Sequence, residues 1–200
     1  MGAGFKYNLT PEVAMDERYD VQTGIRRRGS FVLDTTNIPV GTKLPSFAPM
    51  YADLKYHKVT LVRNFKVVEA YTNGENALSI KIAKGAYPYV GMHVGNGTKG
   101  ATVSAIDTSN AAYDTLTIAA AFGANLAVGA VLFEATAVGG TKQKNVANSA
   151  LYENFIVTEG INNVALLRTA AEIEPDKLVI PFSANDREAL KGWFQFNDNE

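Results

Sequence analysis

From Gly85 to Thr141 the chain carries only four charged residues, Lys99, Asp107, Asp114 and Glu134, and is otherwise dense in Ala, Gly, Val and Thr. Frequent glycine and β-branched side chains both disfavour helix, so helix is excluded over most of this stretch. Short strands joined by tight turns remain. Val94, Val103 and Ile106, then Leu116-Thr117-Ile118, then Val131-Leu132-Phe133 read as strands, with turns at Asn96-Gly97, Ser109-Asn110 and Gly123-Ala124. Strands recurring at about ten-residue spacing point to a small barrel or sandwich.

A motif recurs within and beside this pattern: Val-Gly, two residues, then Leu or Val. It occurs at Val40-Gly41 with Leu44, Val90-Gly91 with Val94, and Val128-Gly129 with Leu132. A glycine after a β-branched residue fits a turn that needs positive φ just before a strand, so the motif is architectural.

The flanks extend the β reading. Val59, Leu61, Phe65, Val67 and Val68 form a β-rich run, and Leu78, Ile80 and Ile82 alternate with Ser79 and Lys81 as a half-buried strand. Later, Phe155-Ile156-Val157, Ile161 to Val164, and Ala165 to Ile173 are further apolar segments, and Leu178-Val179-Ile180 reads as a strand stopped by Pro181. A short helix follows, capped by Ser183, with Asp186 in its first turn and Gly192 closing it. Trp193, Phe194 and Phe196 alternate as a last strand, expected to pair with the Lys55–Glu69 segment.

Residues 1–50 are polar and turn-rich. Prolines at 39, 45 and 49 forbid a long helix there, so this stretch reads as an extended arm, with Phe31, Val32 and Leu33 as apolar anchors against another surface. The expected fold is therefore mainly β: a small β-barrel or sandwich module over 51–200, an extended N-terminal arm over 1–50, and a minor C-terminal helix. Residues 70–140 form a possible inserted small β domain.

Composition removes whole classes of chemistry. Lys and Arg total 19 against 20 Asp and Glu, a net charge of −1, which leaves no basic excess for a run of phosphates, so no nucleic-acid partner is expected. The absence of cysteine removes disulfides, thiolate metal sites and thiol nucleophiles. The two histidines, His57 and His93, read as strand residues without a carboxylate at ligand spacing, so neither a metal nor a cofactor is expected. No apolar run is long enough to span a bilayer, the N-terminus has no apolar stretch after a basic start, and Lys6 occupies the position where a myristoylation motif wants Ser or Thr. A soluble protein without a membrane partner is the expectation.

Three arrangements that could carry chemistry have simpler readings. Gly95-Asn96-Gly97-Thr98-Lys99-Gly100 is glycine-rich with a lysine, but the lysine precedes the last glycine and a strand follows, so a hairpin turn is the better reading than a phosphate cradle. Glu172 and Glu174 flank Ile173 just before Pro175, as on the solvated face of a strand. No Ser, His, Asp set or Gly-x-Ser-x-Gly elbow occurs, so no catalytic residue is assigned and the chain is not expected to be an enzyme. Tyr87, Tyr89, Trp193, Phe194 and Phe196 could form a sugar platform, with burial in a core the commoner fate of such residues. The Arg26-Arg27-Arg28 cluster lacks stacked aromatics and suits an acidic protein surface better than nucleic acid.

The stretch Tyr89-Val90-Gly91-Met92-His93-Val94-Gly95-Asn96-Gly97-Thr98-Lys99-Gly100 on to Asp107, followed by Tyr113-Asp114-Thr115-Leu116-Thr117-Ile118 and by Ala127-Val128-Gly129-Ala130-Val131-Leu132-Phe133-Glu134-Ala135, resembles head fibre proteins of tailed bacteriophages of gut bacteria. The resemblance runs from about Lys55 to Phe196. It implies a non-enzymatic virion component on the outer capsid surface, a homotrimer whose N-terminal region attaches to the major capsid protein. The residues then expected at that contact are Arg26, Arg27, Arg28 and Phe31, and a cell-surface glycan is a possible further partner. A tail or baseplate adaptor and a carbohydrate-binding β module are the alternatives.

Overall fold

The computed structural model describes residues 18–197. Two curled sheets hold most of the strands. The larger follows the path β1 (Asp20–Arg26), β15 (Leu166–Ile173), β12 (Ser149–Leu151), β4 (Pro49–Asp53), β5 (Lys58–Leu61), β2 (Phe31–Asp34) and β14 (Asn163–Val164), with β16 (Phe194–Phe196) added beside β15. The smaller runs β6 (Asn64–Lys66), β11 (Val131–Ala135), β8 (His93–Gly95), β9 (Gly100–Asp107), β10 (Tyr113–Ile118) and β7 (Ser79–Ala83). A two-stranded ladder joins β3 (Lys43–Leu44) to β13 (Phe155–Ile156). Pairing is antiparallel except for β2 with β5 and β15 with β16.

Alternation decides which face is buried. On β7, Ile80 and Ile82 are fully buried while Ser79 points outward, and Leu116 of β10 sits opposite Ile80 in the ladder. Val67 bridges Ile82 at the open side of the smaller sheet, and the Val68 N–H donates to the Lys81 carbonyl at 3.0 Å. That bridge does not continue into a ladder, so within the mainly β fold expected the smaller sheet curls into a half-barrel and does not close.

The three Val-Gly motifs are one structure repeated. Gly41, Gly91 and Gly129 have φ of 88°, 90° and 84°, the left-handed region that glycine enters without steric cost. In each, the residue after the glycine donates to the carbonyl three residues back: Thr42 to Pro39, Met92 to Tyr89, and Ala130 to Ala127, at 3.1, 3.4 and 3.1 Å. Each glycine N–H also donates to a valine carbonyl, of Val157, Val103 or Val67, at 2.8 Å. Those same valines donate back to Thr42, Met92 and Ala130. Leu44, Val94 and Leu132 are then fully buried, while Val40, Val90 and Val128 stand exposed at the turn tips.

Residues 1–17 of the segment expected as an arm lie outside the described residues. From Asp20 onward that segment is extended and built into the larger sheet: β1 pairs with β15, and β2 lies between β5 and β14. Phe31, Leu33, Ile38, Leu44 and Phe47 from it are buried.

At the other end, α1 (Ala184–Leu190) has a capping box: Ser183 Oγ accepts from the Asp186 N–H at 3.1 Å, and the Asp186 carboxylate accepts from the Ser183 N–H at 2.9 Å. Gly192, at φ 85°, follows its last turn. Two expectations are corrected here. β16 pairs in parallel with β15 and not with the Lys55–Glu69 segment. Leu178 to Ile180 form no strand, because the 3-10 turn Pro175–Lys177 precedes them and turns the chain, with the Leu178 N–H donating back to Pro175. Ile180 is buried all the same, in a core with Leu44, Met50 and Leu61.

Apolar residues gather in three clusters. One, around Phe65, Ile80, Ile82, Val103, Leu116 and Phe122, fills the smaller sheet. A second joins Phe31, Leu44, Met50 and Leu166. A third is aromatic: Phe47 lies within 5.8 Å of the Tyr19, Phe182 and Phe194 rings, counted between centroids. Polar residues join the sheets. The Asp186 carboxylate, fully buried, accepts from Asn64 Nδ2 (2.7 Å), Gln143 Nε2 (2.9 Å), Ala147 N–H (2.7 Å) and Ser183 N–H (2.9 Å). Arg63, equally sequestered, reaches Glu134 Oε2 at 3.3 Å and donates to the carbonyls of Tyr87 and Thr36. Burial pushes the Glu134 carboxyl up, but Lys144 and Tyr89, bonded to its Oε1 at 2.7 and 2.6 Å, together with Arg63 hold it below its ordinary value.

Candidate docking groove

The arginine cluster sits where β1 ends. The Arg27 N–H still donates to the Leu166 carbonyl at 2.8 Å, which keeps the segment against β15. Its guanidinium turns inward: Nε donates to Ser149 Oγ at 2.6 Å and Nη2 to the Asn148 carbonyl at 2.7 Å. Arg26 instead lies over the Tyr152 ring, 4.5 Å from its centroid. Gly29 then turns the chain at φ 89° into β2, and a Cβ there would stand 3.0 Å from His57 Cε1, so that turn needs glycine on two counts.

His57 belongs to the turn before β5 and not to a strand as expected, and its own φ is 50°. Its ring stacks on Phe31, with centroids 5.1 Å apart. Phe31 is only 1% exposed, so it forms the floor while the arginines offer their charged ends. Across the groove, Arg168 of β15 lies 4.4 Å over the ring of Trp193. Together with Leu54 these side chains line a groove of about 450 Å³.

The groove is strongly electropositive. Arg26, Arg27, Arg28 and Arg168 converge on it, and none of them has a carboxylate in ion-pair contact among the described residues. Burial, and then the Arg168 charge, pull the Arg27 pKa down from its ordinary value, as expected where like charges face one another unneutralised. Arg168 and Trp193 were not assigned to this site from the sequence. The only signal for Arg168 is a charged residue at an outward position of an apolar strand, and its approach to the cluster is a consequence of the β1–β15 pairing.

The other candidates resolve differently. Asn96 Oδ1 accepts from the Thr98 and Lys99 N–H groups at 3.0 and 2.9 Å, so the glycine-rich stretch is a hairpin turn closed by its own side chain. Gly95 and Gly100 are required there because Gly140 crosses them: a Cβ on Gly95 would lie 2.3 Å from Gly140 Cα. Glu172 and Glu174 are bridged by one donor, Asn197 Nδ2, at 3.0 and 2.9 Å. His93 Nδ1 is 2.8 Å from Thr102 Oγ1, and among the described residues no three potential metal ligands gather. Of the aromatics, Phe194 is core, Phe196 packs on Phe182, Tyr89 binds Glu134, and Trp193 is half exposed beneath Arg168.

No curated protein and no solved structure matches the chain. A family model described as head fiber protein matches residues 2–194, which include the whole smaller sheet, all of the larger one but the end of β16, and every residue of the arginine groove. The chain belongs to the phage head fiber protein family and is a structural component of the virion.

Proposed function

We propose that this protein is a non-enzymatic fibre on the outer capsid surface, fastened to the major capsid protein through the arginine groove and projecting from it as a homotrimer. The observation that carries the attachment is the convergence of Arg26, Arg27, Arg28 and Arg168 on one groove with no carboxylate among the described residues to neutralise them. Four uncompensated guanidiniums with an aromatic wall suit an acidic segment whose carboxylates are held in bidentate pairs. Phe31 serves the contact indirectly by fixing the floor. Cyclic symmetry would present three such grooves to the capsid at once, so that modest individual contacts combine into firm attachment.

Co-sedimentation of the purified protein with capsids lacking it tests this reading. Wild type should co-sediment, with retention that falls as salt rises. Arg28→Glu combined with Arg168→Glu, both at exposed positions, should abolish retention while leaving the melting temperature unchanged. Full retention of a folded double variant would refute attachment through this groove. Light scattering behind size exclusion reads the oligomer, and a monomer would refute the trimer.

A further inference from the structure

A second groove, of about 580 Å³, opens between segments that belong to the two different sheets. Asn37, Pro39 and Thr42 come from one side, and Lys84, Tyr87 and Asp114 from the other. Tyr87 is the unusual member. Its φ of 55° is a conformation that bulky side chains rarely adopt. Two contacts hold it there: its carbonyl accepts from Arg63 Nε at 3.1 Å, and its hydroxyl donates to the Lys43 carbonyl. Strain maintained by surrounding contacts is characteristic of binding positions.

The polar groups around it are spare. Asp114 is 6% exposed, and Lys84 Nζ donates to its Oδ1 at 2.6 Å, while Oδ2 has no partner among the described residues. The Asn37 amide and the Thr42 hydroxyl likewise make no hydrogen bond to described residues. The groove therefore offers a carboxylate oxygen open to a ligand, an amide that donates and accepts, a hydroxyl, an aromatic ring and a proline. Lys84 and Asp114 pair within it and Lys43 adds a single exposed ammonium at its rim, so it carries far less positive charge than the arginine groove.

We propose that this groove binds a neutral saccharide. A pyranose ring has one apolar C–H face and a rim of hydroxyls that both donate and accept, which is the complement of a tyrosine ring edged by Asp114, Asn37 and Thr42. An acidic ligand would meet the Asp114 carboxylate, and a purely apolar one would cover its second oxygen without giving it a hydrogen-bond partner. The site draws on both sheets, so it exists only when they are docked together. It does not depend on attachment through the arginine groove.

Saturation-transfer NMR on the full chain tests this with neutral trisaccharides of glucose, galactose, mannose and N-acetylglucosamine, and a sialylated trisaccharide as the acidic comparison. At least one neutral sugar should show transfer, strongest at its ring C–H protons. Asp114→Asn and Asn37→Gly should each weaken its binding tenfold or more, and Arg28→Glu should leave it unchanged. Asn37 has φ 58°, which glycine adopts freely, so Asn37→Gly decides the matter if Asp114→Asn fails to fold. Transfer from no neutral sugar, preference for the sialylated one, or binding indifferent to a folded Asn37→Gly would each overturn the assignment.

Discussion

Replacing Asp186 by asparagine changes one atom and should cost as much as a large core deletion. Each carboxylate oxygen accepts two N–H groups: Oδ1 from Gln143 and Ala147, Oδ2 from Asn64 and Ser183, all at 2.7–2.9 Å. Whichever way the new amide turns, its NH2 faces two N–H donors and loses both bonds, and only at the Oδ2 position can it regain one by donating to Ser183 Oγ, now 2.8 Å away. Hydrogen bonds to a charged acceptor contribute about 1.5–3 kcal/mol each, and removing a buried charge that has no cationic partner among the described residues gives part of that back. A loss of roughly 3–5 kcal/mol remains. At about 2–4 °C per kcal/mol for a chain of this size, the melting temperature should fall by roughly 8–15 °C. Asp186→Ala, which leaves room for a water to serve the same donors, should be no worse than Asp186→Asn. Calorimetry of the three proteins at neutral pH measures this. A drop below about 4 °C for Asp186→Asn would refute the view that this carboxylate clamps Asn64 of the smaller sheet to α1.

Other consequences are equally direct. Glu134 has a folded pKa below its ordinary 4.5, so its contribution to stability is complete above that value and is lost as pH falls through the depressed folded one. Melting curves from pH 7 to 3 should therefore fall less steeply for Glu134→Gln than for wild type. Gly95→Ala places a Cβ 2.3 Å from Gly140 and should prevent folding, whereas Gly91→Ala meets nothing within 4 Å and should cost only about 1–2 kcal/mol for its φ, as read by urea unfolding. Trp193 is the single tryptophan and lines the arginine groove. Its emission should shift on adding a polyglutamate peptide to wild type and stay still in Arg28→Glu with Arg168→Ala.

What could be read from the sequence was what neighbours along the chain determine. The Val-Gly turns, the alternation of Ile80 and Ile82, and the Ser183 cap with Asp186 in the first turn all follow from contacts within a few residues, and the structure has them as expected. Long-range pairing was not legible. Trp193 to Phe196 carry a strand pattern that is equally compatible with either partner, and only packing against β15 selects the parallel pairing. The equally distant β1–β15 pairing brings Arg168 to the Arg26–Arg28 cluster, so half of the groove leaves no local trace in the sequence. Leu178 to Ile180 carry a strand pattern but form an irregular segment in which only Ile180 is buried and Val179 stands exposed, because one apolar anchor suffices to hold it. Asp186 was recognisable as a capping residue, but its acceptance of Gln143 and Asn64 depends on contacts 43 and 122 residues away.

The order in which the chain is made bears on how it folds. All six strands of the smaller sheet lie between Asn64 and Ala135, so that unit has its partners within reach early in synthesis. The larger sheet begins at Asp20 and cannot finish until β15 and β16 have emerged, since the bond from the Ala171 N–H to Thr23 Oγ1 spans 148 residues. Until then β1, β2 and β4 wait with an unpaired edge while the half-barrel ahead of them is complete. Slow, late closure of such non-local pairings is the expected kinetic bottleneck. The arginine groove, assembled from both ends of the chain, is therefore absent from any nascent chain and appears only in the finished protein.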